Sequence, residues 1–150
     1  MCTWYLQGMG ATVIKIEQPG QGDYLRLAPP YCSDGLGAWF SAINSGKRSV
    51  GLDLKKSAHL AALHALLADA DVLVESFRPG VMARLGLAPE ALCERYPRLV
   101  VCSISGFGQD GPLASMPGHD LGFMAVSGGL SLGAREEGIP AVPGLQVADQ

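Results

Sequence analysis

The stretch that decides the fold is Asp71-Val72-Leu73-Val74-Glu75-Ser76-Phe77-Arg78-Pro79-Gly80-Val81. Its apolar run, bounded by two acids, predicts a short strand over 71–75. The Pro-Gly pair predicts a turn, and a short helix is expected over 81–85. A strand, a turn and a helix in this order form the repeating unit of proteins with alternating strands and helices.

The same alternation extends to both sides of this stretch. Apolar runs bounded by turn residues predict strands, and leucines at three- and four-residue spacing predict helices. Further strands are predicted over 11–17, 49–54 and 98–105, and further helices over 3–9, 57–67, 89–95 and from His119 onward. Residues 21–37 contain several glycines and prolines, which predict a long surface loop.

This order of elements predicts an α/β fold, a three-layer Rossmann-like sandwich around a mainly parallel sheet. Ligands of such folds gather beyond the carboxyl ends of the strands. The loops after Glu17, Glu75 and Ser105 are therefore the candidate binding segments.

Composition limits the classes of partner. The chain has 150 residues, of which 48% are hydrophobic and 17% charged, enough for one domain with a buried core. A net charge of −3 and the lack of any run of like charge argue against nucleic acid as a partner. No apolar run is long enough to span a membrane, no signal segment is recognisable, and the four cysteines lack metal-ligand spacing. A cytoplasmic protein is expected.

Two further ligand classes are disfavoured by spacing. His59 and His64 lie five positions apart on the predicted helix, so they do not share a face as a two-histidine metal site requires. Gly8-Met9-Gly10 lacks the third glycine of a dinucleotide fingerprint and precedes a strand instead of following one. We expect neither a metal site nor a nicotinamide site.

Gly118-His119-Asp120, together with Asp149, provides a candidate acid and base. A helix start favours the neutral imidazole of His119, which can accept a proton. A purely structural role, with His119 packing at the helix entrance and Asp120 complementing the helix dipole, is the commoner use of such residues. Local chemistry leaves both interpretations open.

Four longer segments resemble one family in order and spacing. They are residues 10–20, 44–55, 71–81 and 97–108. With Gly118-His119-Asp120 they resemble the family III coenzyme A transferases, the CaiB/BaiF superfamily, and within it the branch of the α-methylacyl-CoA racemases. The resemblance implies a partial large coenzyme A-binding domain over 1–150, with the first strand and the smaller C-terminal domain of the family missing. It also implies an interlocked homodimer at full length.

The resemblance assigns the site residues. His119 and Asp149 match the catalytic positions, and the substrate or carrier is a coenzyme A thioester, with no tightly bound cofactor. Coenzyme A contacts are expected from Ser76, Phe77, Arg78, Arg84, Lys47 and Lys55.

Three functions follow from the resemblance. In a racemase, His119 removes the proton next to the thioester carbonyl and Asp149 returns one from the opposite face; a histidine at this position favours this interpretation. In a coenzyme A transferase, the alternative, Asp149 attacks the thioester and forms a mixed anhydride. As a second alternative, the shortened chain only binds coenzyme A or assembles with another subunit, and weak or absent turnover is expected from these 150 residues alone.

Overall fold

The computed structural model describes residues 1–133 and 140–149 and shows helices and strands in alternation. The helices are α1 (Cys2–Gly8), α2 (Ala38–Asn44), α3 (Ser57–Ala68), α4 (Val81–Arg84), α5 (Pro89–Arg95) and α6 (Asp120–Val126), and the strands are β1 (Ile14–Glu17), β2 (Arg48–Gly51), β3 (Val72–Glu75) and β4 (Val100–Ser103). Short 3-10 turns lie at Tyr24–Leu27 and Gly129–Gly133. The predicted α/β class is confirmed.

The first two strands form a parallel pair. Ile14 lies opposite Arg48 and Glu17 lies opposite Gly51. A parallel pair needs a crossover connection, which here contains the first 3-10 turn and α2. The crossover begins directly after Glu17, so the end of β1 leads into the segment that the sequence predicts as a ligand-binding loop.

The other two strands also pair with each other. The Val100 N–H donates to the Asp71 carbonyl at 2.9 Å, and the Ile104 N–H donates to the Glu75 carbonyl at 2.9 Å. The bonds advance in the same direction along both strands, as in a parallel pair. The described strands thus form two sheets of two strands each, β1-β2 and β3-β4, where the sequence predicted one larger sheet. Each strand has only four residues, and the two strands of each pair follow one another along the chain.

Helix α2 is the element that sequence patterning missed. The loop predicted over 21–37 ends before it, and no element was predicted for residues 38–44. Phe40 and Asn44, one helical turn apart, are both buried, and the Asn44 side chain donates to the Phe40 carbonyl at 3.1 Å. Burial of this one face, rather than a repeated apolar pattern, holds the helix in place.

The chain divides into two compact units. The first comprises Met1–Leu73 and Leu92–Val100, and the second comprises Val74–Ala91 and the described residues of Val101–Gln150. In the first unit, the buried apolar residues are Phe40, Leu52, Leu63, Leu67, Leu92 and Leu99, and in the second they are Met82 and Leu87. Within the described part of the chain, no helix combines the length and the apolar character that a membrane crossing requires.

Candidate active site

His119 stands at the entrance to α6 in the second unit. It is the N-cap residue, with an extended backbone (φ −137°, ψ 176°), and its side chain makes no capping hydrogen bond. The imidazole is 97% exposed. The structural alternative, in which His119 caps the helix or packs at its entrance, therefore does not describe this side chain. The predicted helix start is confirmed.

Two glycines and two phenylalanines support this entrance. Phe107 and Phe123 pack edge to face, with ring centroids 5.2 Å apart. Gly106 and Gly118 lie so close to the Phe123 ring that a Cβ on Gly118 would fall 2.6 Å from Phe123 Cε1, and one on Gly106 would overlap the ring. Only glycine allows this approach at both positions. The ring therefore holds the segment that presents His119.

Asp149 lies beside His119. Its Oδ2 is 3.7 Å from His119 Nδ1, and its side chain is 27% exposed. This separation is longer than a hydrogen bond, yet short enough for the two groups to interact electrostatically. The structure thus brings together the two side chains that the sequence predicted as catalytic.

Asp120 contributes to the geometry of this pair. In contrast to His119 before it, Asp120 is buried, with 4% of its surface exposed. Its Oδ1 accepts hydrogen bonds from the backbone N–H groups of Ala148 at 2.6 Å and Asp149 at 3.3 Å. Sequence reasoning gave Asp120 only a charge role in the first turn of the helix, because no local pattern reveals a partner 28 residues away.

The turn after β3 carries four of the predicted coenzyme A contacts. Glu75, buried at the end of the strand, accepts a hydrogen bond from the Phe77 N–H at 2.7 Å. Gly80 is the N-cap of α4 and has a positive φ of 78°, which glycine adopts readily, so the chain turns sharply into the helix. The side chains exposed around this turn are Ser76, Phe77, Arg78 and Arg84.

The two predicted lysine contacts lie in the first unit. The Lys47 ammonium donates to Thr3 Oγ1 at 2.9 Å and to Asn44 Oδ1 at 3.1 Å. Burial, and secondarily the nearby charge of Lys15, lowers the pKa of Lys47. A ligand phosphate would have to share or replace these contacts. Lys55 is exposed, and its backbone N–H donates to Asp53 Oδ1 at 3.1 Å.

The predicted binding loop after Glu17 borders a cavity of about 260 Å³, lined by Glu17, Arg26, Ser49 and residues of the 20–22 turn. Arg26 there was not singled out from the sequence, and it is neutralised by a two-bond ion pair with Glu17. The hydrogen bonds of Arg26 lower the pKa of Glu17 to about 2, assisted by those of Ser49 and the Asp23 N–H.

His59 and His64 take structural roles. His59 Nδ1 accepts a hydrogen bond from the Asp53 N–H at 2.8 Å, and His64 Nδ1 lies 3.0 Å from the Tyr96 hydroxyl. Across residues 1–133 and 140–149, no group of three or more histidine, cysteine or acidic side chains is arranged to hold a metal ion.

The chain that carries Asp149 and His119 matches a known protein family along its whole length. The sequence model of CoA-transferase family III covers residues 1–150. The chain belongs to CoA-transferase family III. The resemblance to the family III coenzyme A transferases, inferred from the sequence segments, is therefore confirmed.

Individual relatives and one solved structure agree with this assignment. Acetyl-CoA:oxalate CoA-transferase of Acetobacter aceti is 44% identical over 148 residues, which are 98% of this chain and 38% of the relative. Succinate--glutarate CoA-transferase of Agrobacterium fabrum is 40% identical over 150 residues, with 96% and 38% covered. The crystal structure of a CAIB/BAIF family protein from Brucella suis superimposes with a TM-score of 0.87 at 36% identity, over 96% of this chain and 39% of that one.

The family III chain described here thus spans about two fifths of the length of these relatives. The expectation of a coenzyme A enzyme family is confirmed. The names of the curated relatives favour the transferase alternative over the racemase interpretation that His119 suggested. Homodimer formation, cytoplasmic location and the individual coenzyme A contacts stay predictions.

Proposed function

We propose that the protein containing this chain transfers coenzyme A between carboxylic acids, with Asp149 as the nucleophile. The substrate class we infer is short dicarboxylic acids, because the curated relatives carry oxalate, succinate and glutarate in their names. The observation that supports this function over proton transfer is the 3.7 Å separation of His119 Nδ1 and Asp149 Oδ2.

Racemisation and coenzyme A transfer require different separations between these two side chains. A racemase needs its two acid-base groups on opposite faces of the substrate α-carbon. Since reacting atoms approach to about 3–3.5 Å, such groups would stand roughly 6–7 Å apart. His119 and Asp149 are too close to each other to hold a carbon atom between them. A carboxylate that acts as a nucleophile does not need a second acid-base group on the opposite side of the substrate carbon.

The proposed reaction balances without any other reactant. An Asp149 carboxylate oxygen attacks the thioester carbon of the donor, the C–S bond breaks, and coenzyme A leaves as the thiolate from a mixed anhydride. The thiolate then attacks the Asp149 carbonyl carbon, which releases the donor acid and leaves an aspartyl thioester. The acceptor carboxylate repeats the two steps in the opposite order, so coenzyme A ends on the acceptor and Asp149 is free again.

The other predicted residues take binding roles in this proposal. Coenzyme A carries phosphates that need local cations, and a pantetheine arm and an adenine that pack on apolar surface. Arg78 and Arg84 are exposed cations on either side of the αL turn at Gly80, and Phe77 is an exposed aromatic ring in the same turn. We assign these residues and Ser76 to the carrier, with Lys55 and Lys47 as secondary contacts. His119 has no obligatory proton to move in this reaction.

The test is chemical capture of Asp149 in the complete protein that contains this chain. The protein is incubated with succinyl-CoA and then with hydroxylamine, which converts an anhydride or thioester of aspartate into a hydroxamate. Peptide mass spectrometry should find the hydroxamate at Asp149. Asp149→Asn should abolish both the modification and transfer to oxalate or glutarate, whereas His119→Gln should retain part of both.

Asp110 supplies the matched control, since it is an exposed acid in a loop of the same unit. Asp110→Asn should leave capture and transfer unchanged. Transfer by the unsubstituted protein without any hydroxamate at Asp149, or with unchanged activity in Asp149→Asn, would refute the proposed nucleophile.

A further inference from the structure

Asp120 is a buried acid next to the exposed His119, and its surroundings differ from those of a helix-capping residue. Only 4% of its surface is exposed. Rather than serving only as first-turn charge, its carboxylate reaches a segment 28 and 29 positions further along the chain. A buried carboxylate is costly unless hydrogen bonds compensate it, so these contacts have structural importance.

A single oxygen of Asp120 accepts both bonds. Oδ1 receives the Ala148 N–H at 2.6 Å and the Asp149 N–H at 3.3 Å. Two successive amides bound to one acceptor restrain the peptide plane between Ala148 and Asp149. The backbone of Asp149 is therefore held by the residue that directly follows His119 in the chain.

This arrangement couples the positions of the two site residues. His119 is the N-cap of α6 and Asp120 is the first residue of that helix. His119, which carries the imidazole, is therefore followed directly by Asp120, which binds the backbone of Asp149. Rotation of the peptide before Asp149 would move its carboxylate away from its 3.7 Å contact with the imidazole.

We propose that Asp120 is a positioning residue, whose Oδ1 holds the 148–149 backbone so that the Asp149 carboxylate presents a fixed oxygen to the substrate. The inference rests on the proposed function, in which that oxygen is the nucleophile. Asp120 does not itself touch the substrate. A displacement of about 1 Å at a reacting atom can reduce a rate about 100-fold, so loss of these two bonds should be visible in turnover.

Three substitutions distinguish the effect of the acceptor oxygen's position from the effect of the negative charge of Asp120. Asp120→Asn keeps an acceptor oxygen in place and removes the charge, whereas Asp120→Glu keeps the charge and moves the oxygens by one methylene. Asp120→Ala removes both. Leu121→Ala, at the next position of α6 where the side chain is 44% exposed, is the control for substitution in this helix.

The first measurement is the rate of hydroxamate capture at Asp149 from succinyl-CoA, together with kcat and KM. We expect Asp120→Ala and Asp120→Glu to lower capture and kcat by about 100-fold with little change in KM, and Asp120→Asn to recover most of the loss. Wild-type capture by Asp120→Ala, or retention in Asp120→Glu with loss in Asp120→Asn, would overturn the positioning role.

The second measurement does not depend on catalysis. Amide hydrogen exchange at Ala148 and Asp149 should be slow in the unsubstituted protein and in Asp120→Asn, and fast in Asp120→Ala. Unchanged exchange in Asp120→Ala would also overturn the proposal. If the unsubstituted protein forms no hydroxamate at Asp149, the proposed function fails, and the exchange result then shows separately whether Asp120 holds the backbone.

Discussion

Glu17 and Arg26 are joined by two hydrogen bonds. Arg26 Nε donates to Glu17 Oε2 at 2.9 Å and Nη2 donates to Oε1 at 2.8 Å. The Glu17 side chain is 4% exposed, and it also accepts from Ser49 Oγ at 2.7 Å. Arg26 lies with its guanidinium 4.0 Å from the Phe40 ring centroid. The pair links the end of β1, the first 3-10 turn and β2 within the first unit.

Removal of Arg26 should destabilise the fold because Glu17 would remain as a buried charge. For Arg26→Ala we expect a loss of about 2–4 kcal/mol in the free energy of unfolding. Arg98→Ala is the control, since Arg98 pairs with Asp71 at 3.6 Å while both side chains are more than 80% exposed. A change of less than about 0.5 kcal/mol is expected there. Urea denaturation measures both; equal effects of the two substitutions would contradict the prediction.

The same pair should give the stability a dependence on acid pH. The pKa of Glu17 is lowered from 4.5 to about 2, first by hydrogen bonds from Arg26. The unfolded chain therefore takes up this proton before the folded chain does, and stability falls with falling pH. The contribution, on the order of 3 kcal/mol, is complete above about pH 4.5 and is lost as the pH falls toward 2.

Urea denaturation at pH values between about 2 and 6 measures this dependence. In Arg26→Ala the loss should be smaller over the same range, because the largest cause of the lowered pKa is gone. If stability falls by the same amount at acid pH in Arg26→Ala as in the unsubstituted protein, then other groups cause the pH dependence.

The close approach of glycine to Phe123 should make the entrance of α6 sensitive to one methyl group. Gly106→Ala and Gly118→Ala should each cost about 1–3 kcal/mol, since the Phe123 ring would have to leave its contact with Phe107. Gly122→Ala, where a Cβ would meet no atom within 4 Å, should be neutral or stabilise α6 by up to about 1 kcal/mol.

Thermal or urea denaturation compares the three alanine variants. Gly118→Ala should also slow hydroxamate capture at Asp149, because His119 follows directly in the chain. Equal stability of Gly118→Ala and Gly122→Ala would show that the ring adapts without cost.

Deuterium exchange distinguishes proton transfer from coenzyme A transfer. With 2-methylacyl-CoA in D2O, we expect the complete protein to leave the α-proton in place, as seen by NMR, because His119 and Asp149 do not stand on opposite sides of a carbon-sized gap. The control is His119→Ala, which should give the same result. Exchange that is present in the unsubstituted protein and lost in His119→Ala would restore the racemase interpretation.

The turn after β3 should contribute to coenzyme A affinity. Arg78→Gln and Arg84→Gln should each weaken binding of coenzyme A about 5- to 10-fold, corresponding to roughly 1 kcal/mol per exposed charge pair, and the effect should shrink at high salt. Arg98→Gln removes another exposed cation and should change affinity little. Calorimetric titration with coenzyme A measures all three, and an equal loss for Arg98→Gln would indicate general electrostatic attraction instead of a site.

Much of the fold could be read from the chain because its signals are local. The apolar run before Glu75 and the Pro-Gly pair after it predict β3 and the turn into α4, and both are confirmed. The leucines likewise predict a helix over 57–67, and the structure has α3 at Ser57–Ala68. Helix α2 was missed, since its stability comes from burial of Phe40 and Asn44 and not from an apolar repeat.

The candidate site, too, could be predicted from the sequence only in part. Residue types and family segments alone determined that His119 and Asp149 are the candidates, because an imidazole at a predicted helix start is visible along the chain. Only the tertiary structure decided that they lie 3.7 Å apart, that Asp120 grips the backbone of Asp149, and that Arg26 is neutralised by Glu17. These relationships join residues that are far apart in sequence or that belong to different elements. Their distances depend on how the chain packs, which no local pattern of residues encodes.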